Sequence, residues 1–167
     1  MNEVKTSLDK AVTTSAPKSI SKRIVTGFGF GLFAVFALTI YAYTAFKSVV
    51  VSGESMLPTF TSGTRLLVSN AYWLVGPIKD KDIVVIKDNN VTGYIIKRVY
   101  KLGGETVDWY NVPKDWSLEA GEYKVPANHV YVLGDNRAVS EDSRAFGPVD
   151  ESRILGKVVL RPTKRSN

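Results

Sequence analysis

The sequence predicts a mostly β domain, folded as a coiled or barrel-like antiparallel sheet, that follows one N-terminal transmembrane helix. An apolar run at residues 24–46 contains no charged side chain. After it, short runs of β-branched and aromatic residues alternate with turn residues, and no apolar period of 3.6 residues reaches helical length. Seven short strands without intervening helices favour such a sheet over a doubly wound α/β fold.

Residues 1–23 and 24–46 are the first two expected segments, a cytoplasmic tail and a membrane anchor. The tail is rich in Thr, Ser, Lys and Ala without periodicity. A helix over residues 24–46 would extend about 34 Å, slightly more than the roughly 30 Å hydrocarbon core of a bilayer. Lys18, Lys22 and Arg23 precede the run and only Lys47 follows it. The positive-inside rule therefore predicts a cytoplasmic N-terminus and an outer domain at residues 47–167, attached to the bacterial cytoplasmic membrane.

Two other interpretations of the apolar run are open. A cleaved signal peptide has an apolar region of only about 7–15 residues, which is shorter than this run. A helix buried in the core of a soluble domain is the other alternative. The length and the flanking charges favour the membrane-spanning helix, with the lipid bilayer as a partner.

The outer domain contains seven candidate strands separated by turn signals. Gly and Asn cluster between the strands, as in Ser62-Gly63, the segment 88–90, Gly103-Gly104 and the segment 134–136. The strands are expected at residues 48–51, 65–69, 82–86, 93–100, 106–109, 129–133 and 154–161.

The composition excludes several kinds of site. The chain has no cysteine, which excludes disulfides, Cys-based zinc sites and a Cys nucleophile. Its net charge of +6 is spread thinly along the chain, whereas nucleic-acid-binding proteins cluster Lys and Arg on one face. There is no Gly-rich phosphate loop and no clustered set of His or carboxylate ligands. We expect no nucleic-acid partner, no metal and no cofactor.

Ser55 is the candidate nucleophile, and it follows the apolar run closely. An extended chain covers at most about 3.3–3.6 Å per residue, so Ser55 lies within roughly 30 Å of the end of the run at Phe46. A serine needs a neighbouring base to take its proton. His129 is the one histidine, and nothing in its surroundings marks it as a member of a triad.

Lys97 is the other candidate base. Side chains alternate between the two faces of a strand, so Lys97 is expected to point the same way as Ile95 and Val99, with Arg98 on the opposite face. An apolar face withdraws the ammonium from water and lowers its pKa, which favours the neutral amine that a base requires. The alternative is that Lys97 and Arg98 are two solvated charges on an edge strand.

The segment 134–144 is dense in polar side chains. Ser140 and Ser143 have hydroxyls suited to orienting a lysine. The four charged residues Asp135, Arg137, Asp142 and Arg144 are equally compatible with a salt-bridge network that stabilises the loop. From the residues alone, a polar surface turn is also possible.

Three segments in this order resemble the signature boxes of the bacterial type I signal peptidases. They are Ser-Gly-Glu-Ser-Met-Leu-Pro-Thr at residues 52–59, Ile-Ile-Lys-Arg-Val at 95–99, and Gly-Asp-Asn-Arg-Ala-Val-Ser-Glu-Asp-Ser-Arg-Ala-Phe-Gly at 134–147. The resemblance extends over residues 49–160. It implies the family's coiled β-sheet domain and a serine endopeptidase that removes signal peptides from exported preproteins.

The resemblance also implies a role for each matching residue. Ser55 would attack the scissile carbonyl, and Lys97 would accept its proton as the general base. A serine at the position of Ser140 hydrogen-bonds the lysine in the family, and the residues that match Asp142 and Arg144 hold the site together. The family cleaves after small residues, typically Ala-x-Ala, and five apolar residues beside the dyad are expected to line the pockets: Val49, Val51, Met56, Ile95 and Ile96.

One position departs from part of the family, and two other functions are considered. One branch has a serine two residues before the nucleophile that helps to bind the oxyanion, whereas this chain has Gly53. A specialised peptidase that matures a pilin or a few plasmid-encoded substrates is one alternative. A non-catalytic, membrane-tethered binding domain is the other, and the presence of Ser55, Lys97 and Ser140 argues against it.

Overall fold

A computed structural model describes residues 20–88 and 93–160, with the side chains of residues 20–28 and 118 outside the description. The chain divides into two compact units between Tyr41 and Ala42. Helix α1 covers Ile20–Ala45. Most of the expected tail at residues 1–23, the turn at 89–90 and the end of the last expected strand at Arg161 lie outside the described residues.

Residues 29–43 of α1 have exposed side chains, including Phe30, Phe33 and Phe36. Among the residues that the structure describes, none of the helices has both the length and the apolar content needed to cross a membrane.

The second unit is built on a curled antiparallel sheet. Seven strands pair in the order β1-β2-β9-β3-β4-β7-β8, and β5 and β6 form a separate two-stranded sheet. Register shifts interrupt the pairing of β9 with β2 and β3, and of β4 with β7, and such bulges bend and twist the strands that contain them. The strands are β1 Phe46–Val50, β2 Arg65–Ser69, β3 Ile83–Lys87, β4 Tyr94–Leu102, β5 Thr106–Val107, β6 Tyr123–Lys124, β7 His129–Leu133, β8 Val149–Asp150 and β9 Ile154–Leu160.

The prediction of a mostly β domain is confirmed, and all seven expected strands are present. The strands expected at 65–69 and 129–133 have the observed bounds, and the one expected at 93–100 continues to Leu102. The prediction missed six short elements: the two-residue strands β6 and β8, the single-turn helices α2 Tyr72–Val75 and α3 Ser143–Phe146, and the 3₁₀ helices Leu118–Ala120 and Glu151–Arg153. Elements of two to four residues contain too few positions for an apolar period to show.

The sheet is apolar on both faces at its centre. In β3, Ile83 and Val85 join one buried cluster, with Met56 and Ile96, while Val84 and Ile86 join a second cluster on the other face. Alternation along the strand therefore buries both sets. Strand β4 lies between β3 and β7, and the residues at its centre, Ile96, Lys97 and Val99, are buried.

Candidate active site

Ser55 lies in the loop between β1 and β2. The next residue, Met56, is only 1% exposed and packs into the first core cluster, so it fixes the loop to the sheet. Backbone hydrogen bonds from Leu57 to Glu54 (3.1 Å) and from Phe60 to Met56 (2.9 Å) close the turns around it. The Ser55 carbonyl accepts a hydrogen bond from the Asn136 N–H at 2.9 Å. The Ser55 loop is thereby tied to the segment that follows β7.

Lys97 lies in the middle of β4, opposite Val84 of β3, and is 4% exposed. Ile95, Val84 and Val99 belong to the same core cluster, which confirms that Lys97 shares its face of the strand with Ile95 and Val99. The alternative of a solvated lysine on an edge strand is wrong, since β4 is an inner strand.

The environment of Lys97 favours the neutral amine. Burial lowers the pKa of Lys97, and the negative charges of Asp142 and Glu141 offset only part of that effect. No carboxylate among the described residues forms an ion pair with its Nζ. An amine that spends part of its time unprotonated is able to accept a proton from a hydroxyl.

Ser55 and Lys97 line one cavity of about 610 Å³. The two residues come from sequence segments about 40 positions apart, and the sheet brings them to the same space. The apolar part of the wall is Ile95, Val139 and Phe146. The cavity is large enough for several residues of a peptide, and it presents a hydroxyl and an amine at its surface.

Asp142 is the structural centre of the segment after β7. Its side chain is fully buried and accepts hydrogen bonds from the Gly134 N–H (3.0 Å) and from Arg144 Nε (2.8 Å) and Nη2 (3.0 Å). It also caps α3 by accepting from the Arg144 N–H at 3.3 Å. Burial alone would raise the pKa of Asp142, but the hydrogen bonds from Arg144 and Gly134 outweigh it and hold that pKa below its usual range. The carboxylate is therefore charged and fully paired.

The four charged residues of this segment do not form one network. Asp135 binds Arg98 of β4 through Nε (2.7 Å) and Nη2 (2.6 Å). Arg137 instead donates to the Asn111 side chain at 2.9 Å. Two separate pairs, Asp142 with Arg144 and Asp135 with Arg98, therefore brace the segment, one within it and one against the sheet.

Ser140 lies beside the Asp142–Arg144 pair, and its hydroxyl has no hydrogen-bond partner in the described part of the chain. Its Oγ is buried, and no group in the described part of the chain meets hydrogen-bond geometry with it, although the hydroxyl helps to lower the pKa of Asp142. Gly134 packs directly against it: a Cβ there would lie 2.1 Å from Ser140 Oγ and 2.7 Å from the Ser55 carbonyl oxygen. Ser140 and Ser55 therefore meet around a single glycine.

Gly134→Ala is expected to lower the free energy of unfolding by about 1–3 kcal/mol, because the methyl group overlaps a short side chain and a backbone carbonyl. Thermal unfolding measures this. Gly93→Ala is the matched control, since a Cβ at Gly93 meets nothing within 4 Å. Equal melting temperatures for the two variants would contradict the packing described around Ser140.

The structure places the five residues expected to line pockets in two different environments. Ile95 lines the cavity. The other four are buried in the first core cluster, beneath the Ser55 loop and β4, and not along the cavity: Val49, Val51, Met56 and Ile96. Sequence reasoning missed Val139, Phe146 and Arg153, which do line it. Val139 and Phe146 belong to the segment 134–147, which the sequence analysis noted for its polar residues. Their apolar side chains among those polar residues were the sequence feature that could have indicated a pocket wall.

His129 lies outside this cavity. It begins β7 and pairs with Asp150 of β8, and its Nδ1 lies 2.9 Å from the Ala127 carbonyl oxygen. The Ser55 carbonyl instead accepts from Asn136, which lies three residues beyond the opposite end of that strand. Of the two candidate bases, only Lys97 shares the cavity with Ser55. Within the described residues, no group of three or more His, Asp or Glu side chains is arranged to hold a metal ion.

Comparisons with known proteins point to one family. The family model described as signal peptidase, peptidase S26, matches residues 24–114 and 110–162. A signal peptidase I of Bacillus caldolyticus is 35% identical over an alignment of 144 residues, and the match covers 70% of this chain and 79% of that protein. A signal peptidase I of Leptolyngbya laminosa is 34% identical over an alignment of 155 residues, and the match covers 78% of this chain and 75% of that protein. A crystal structure of a signal peptidase I from Enterococcus faecalis V583 is 24% identical and covers 50% of this chain and 97% of that chain, with a TM-score of 0.38.

Proposed function

The chain belongs to the signal peptidase family, peptidase S26, and from that premise we propose that it is a membrane-bound signal peptidase I with Ser55 as nucleophile and Lys97 as general base. Members of this family are serine endopeptidases, and the proposed substrates are the signal peptides of exported preproteins. The observation that carries the proposal is the cavity that Ser55 shares with a buried lysine.

In the proposed mechanism, Ser55 Oγ attacks the carbonyl carbon of the scissile bond while neutral Lys97 Nζ takes the hydroxyl proton. The tetrahedral intermediate collapses as Lys97 returns the proton to the leaving amine, which departs with the mature protein. Water then attacks the acyl-enzyme, again with Lys97 as base, and releases the signal peptide. Burial of Lys97 supports this role, because it lowers the pKa of the amine and so favours the neutral form that a general base requires.

Ser140, Asp142 and Arg144 are proposed to position the lysine and to hold the site together. The buried Ser140 hydroxyl meets no group of the described residues in hydrogen-bond geometry, and a hydrogen bond to the lysine amine is the role proposed for it. Asp142 binds the backbone of Gly134, which touches both Ser140 and Ser55. The fully paired carboxylate of Asp142 therefore holds the backbone of the segment 134–144 in place.

The oxyanion is proposed to bind the Ser55 backbone N–H. Gly53 lines the cavity, but it has no side-chain donor. Its φ of +85° lies in the left-handed region that favours glycine, so a serine at this position would be strained in this backbone conformation. This supports a site that uses backbone donors rather than the hydroxyl found in one branch of the family.

We also propose that residues 24–46 anchor the protein in the bacterial cytoplasmic membrane, with residues 1–23 in the cytoplasm and residues 47–167 on the outer side. The support is the uncharged run of 23 residues with basic residues before it. The membrane would also hold the substrate, since preproteins insert their signal peptides into the same bilayer.

Cleavage of a preprotein tests the proposed function. Purified full-length chain in detergent is incubated with a preprotein that has one Ala-x-Ala site, and the N-terminus of the product is identified by mass spectrometry. We expect one cut, after the second Ala, and no cut when that Ala is replaced by a bulky residue. Absence of cleavage for several preproteins would contradict a general signal peptidase.

A further inference from the structure

Two exposed carboxylates line the cavity beside the proposed dyad. Glu54 directly precedes Ser55, and Glu141 directly follows Ser140, so each is held by a segment that also presents a proposed site residue. Neither forms an ion pair with any residue in the described ranges. Both carboxylates are therefore available to a charged group that enters the cavity.

The positive charges in the same cavity do not cancel them. Lys97 is 4% exposed, and its burial favours the uncharged form. Arg153 is half-buried and donates from Nη2 to the Lys87 carbonyl oxygen at 3.0 Å. A third carboxylate, Asp88, also lines the cavity. Three carboxylates therefore line the cavity against at most two cations, so the formal charge of its lining is negative, in a chain whose net charge is +6.

We propose that Glu54 and Glu141 act as specificity-determining residues that favour peptides with a Lys or Arg side chain within two residues of the scissile bond. This inference rests on the proposed function, which puts the scissile carbonyl at Ser55. A peptide in extended conformation advances about 3.3 Å per residue, so side chains within two residues of the bond lie near Glu54 and Glu141. The substrate class is thus a preprotein with a basic residue next to its cleavage site.

The size of the preference follows from the exposure of the two carboxylates. An exposed pair of opposite charges contributes about 1.5- to 5-fold to an equilibrium constant, and salt screens it. When the substrate side chain is changed from positive to negative, two such carboxylates should together favour the positive substrate by about 10-fold in kcat/KM at low ionic strength.

Peptide substrates that differ in one charge test this inference. Peptides with the same Ala-x-Ala site receive Lys, Gln or Glu, either at x or at the second residue after the bond. Their kcat/KM values are compared for the wild type, Glu54→Gln, Glu141→Gln and the double variant. The ratio of the Lys to the Glu peptide cancels any effect of Glu141 on the pKa of Lys97, because both peptides meet the same base.

For the wild type we expect kcat/KM for the Lys peptide to exceed that for the Glu peptide by about 10-fold in at least one of the two series. This ratio should fall to about 1 in the double variant and in high salt. Glu119→Gln removes an exposed carboxylate outside the cavity and should keep the wild-type ratio. Equal rates for the three peptides in both series would overturn the inference and leave the proposed function intact. An equal loss of preference in Glu119→Gln would also overturn it. A wild-type protein that cleaves none of the peptides or the preprotein would overturn the proposed function itself.

Discussion

Replacement of Lys97 by Met is expected to lower kcat/KM for preprotein cleavage by about 10²- to 10⁴-fold, because it removes the proposed general base. The same change should leave the protein at least as stable as the wild type. Lys97 is 4% exposed and has no ion-pair partner among the described residues, and Met fills a similar volume without an amine to desolvate. Cleavage rates and thermal unfolding measured on the same sample separate the two effects.

Lys101→Met is the matched control, since Lys101 lies in the same strand and is more accessible to water. It should cleave at the wild-type rate. The pH dependence gives a second readout: because the proposed active form is the neutral amine, wild-type kcat/KM should rise with pH through the pKa of Lys97. Burial lowers that pKa, so the rise should come below the value of about 10.4 that is usual for lysine. Near-normal activity of Lys97→Met would show that the base is elsewhere.

Asp142→Asn is expected to lower the free energy of unfolding by about 2–4 kcal/mol, the largest loss of stability predicted for the site. The carboxylate is fully buried and accepts hydrogen bonds from Gly134 and Arg144, and removing its charge leaves the Arg144 guanidinium without its partner. Because Arg144 is 23% exposed, water recovers part of that loss. For a domain of this size, the melting temperature should fall by roughly 10 °C.

Asp115→Asn is the control for this change, because it removes the same charge from an exposed carboxylate. We expect it to melt within about 2 °C of the wild type, as is usual for surface substitutions. A melting temperature for Asp142→Asn that matches this control would contradict the supporting role of the Asp142–Arg144 pair.

The sheet could be predicted from the sequence to the extent that its strands are long enough to show a pattern. Strands β2 and β7 have the predicted bounds, since each is an apolar run between turn signals. The two-residue strand β8 exists because Val149 and Asp150 pair with β7, and β6 exists because it pairs with β5. Such pairing depends on the tertiary fold and leaves no local signal.

The candidate site could be predicted only where chemistry is local. The face of β4 that presents Lys97 followed from alternation along a single strand. The sequence did not predict which arginine binds Asp135 and which binds Asp142. In the structure Arg98 binds Asp135 and Arg144 binds Asp142, but either arginine could pair with either carboxylate as far as the sequence shows. Arg153 lines the same cavity from the opposite end of the chain, and only the pairing of β9 with β3 brings it there.

The most direct test of the Ser55–Lys97 dyad is a comparison of Ser55→Ala with Ser52→Ala in cleavage of a preprotein. Ser52 is an exposed serine in the same loop, so the two variants lose the same hydroxyl three residues apart. The dyad predicts that Ser55→Ala loses at least about 10⁴-fold in kcat while it remains folded, and that Ser52→Ala cleaves at nearly the wild-type rate. Cleavage by Ser55→Ala at a rate close to that of Ser52→Ala would contradict it.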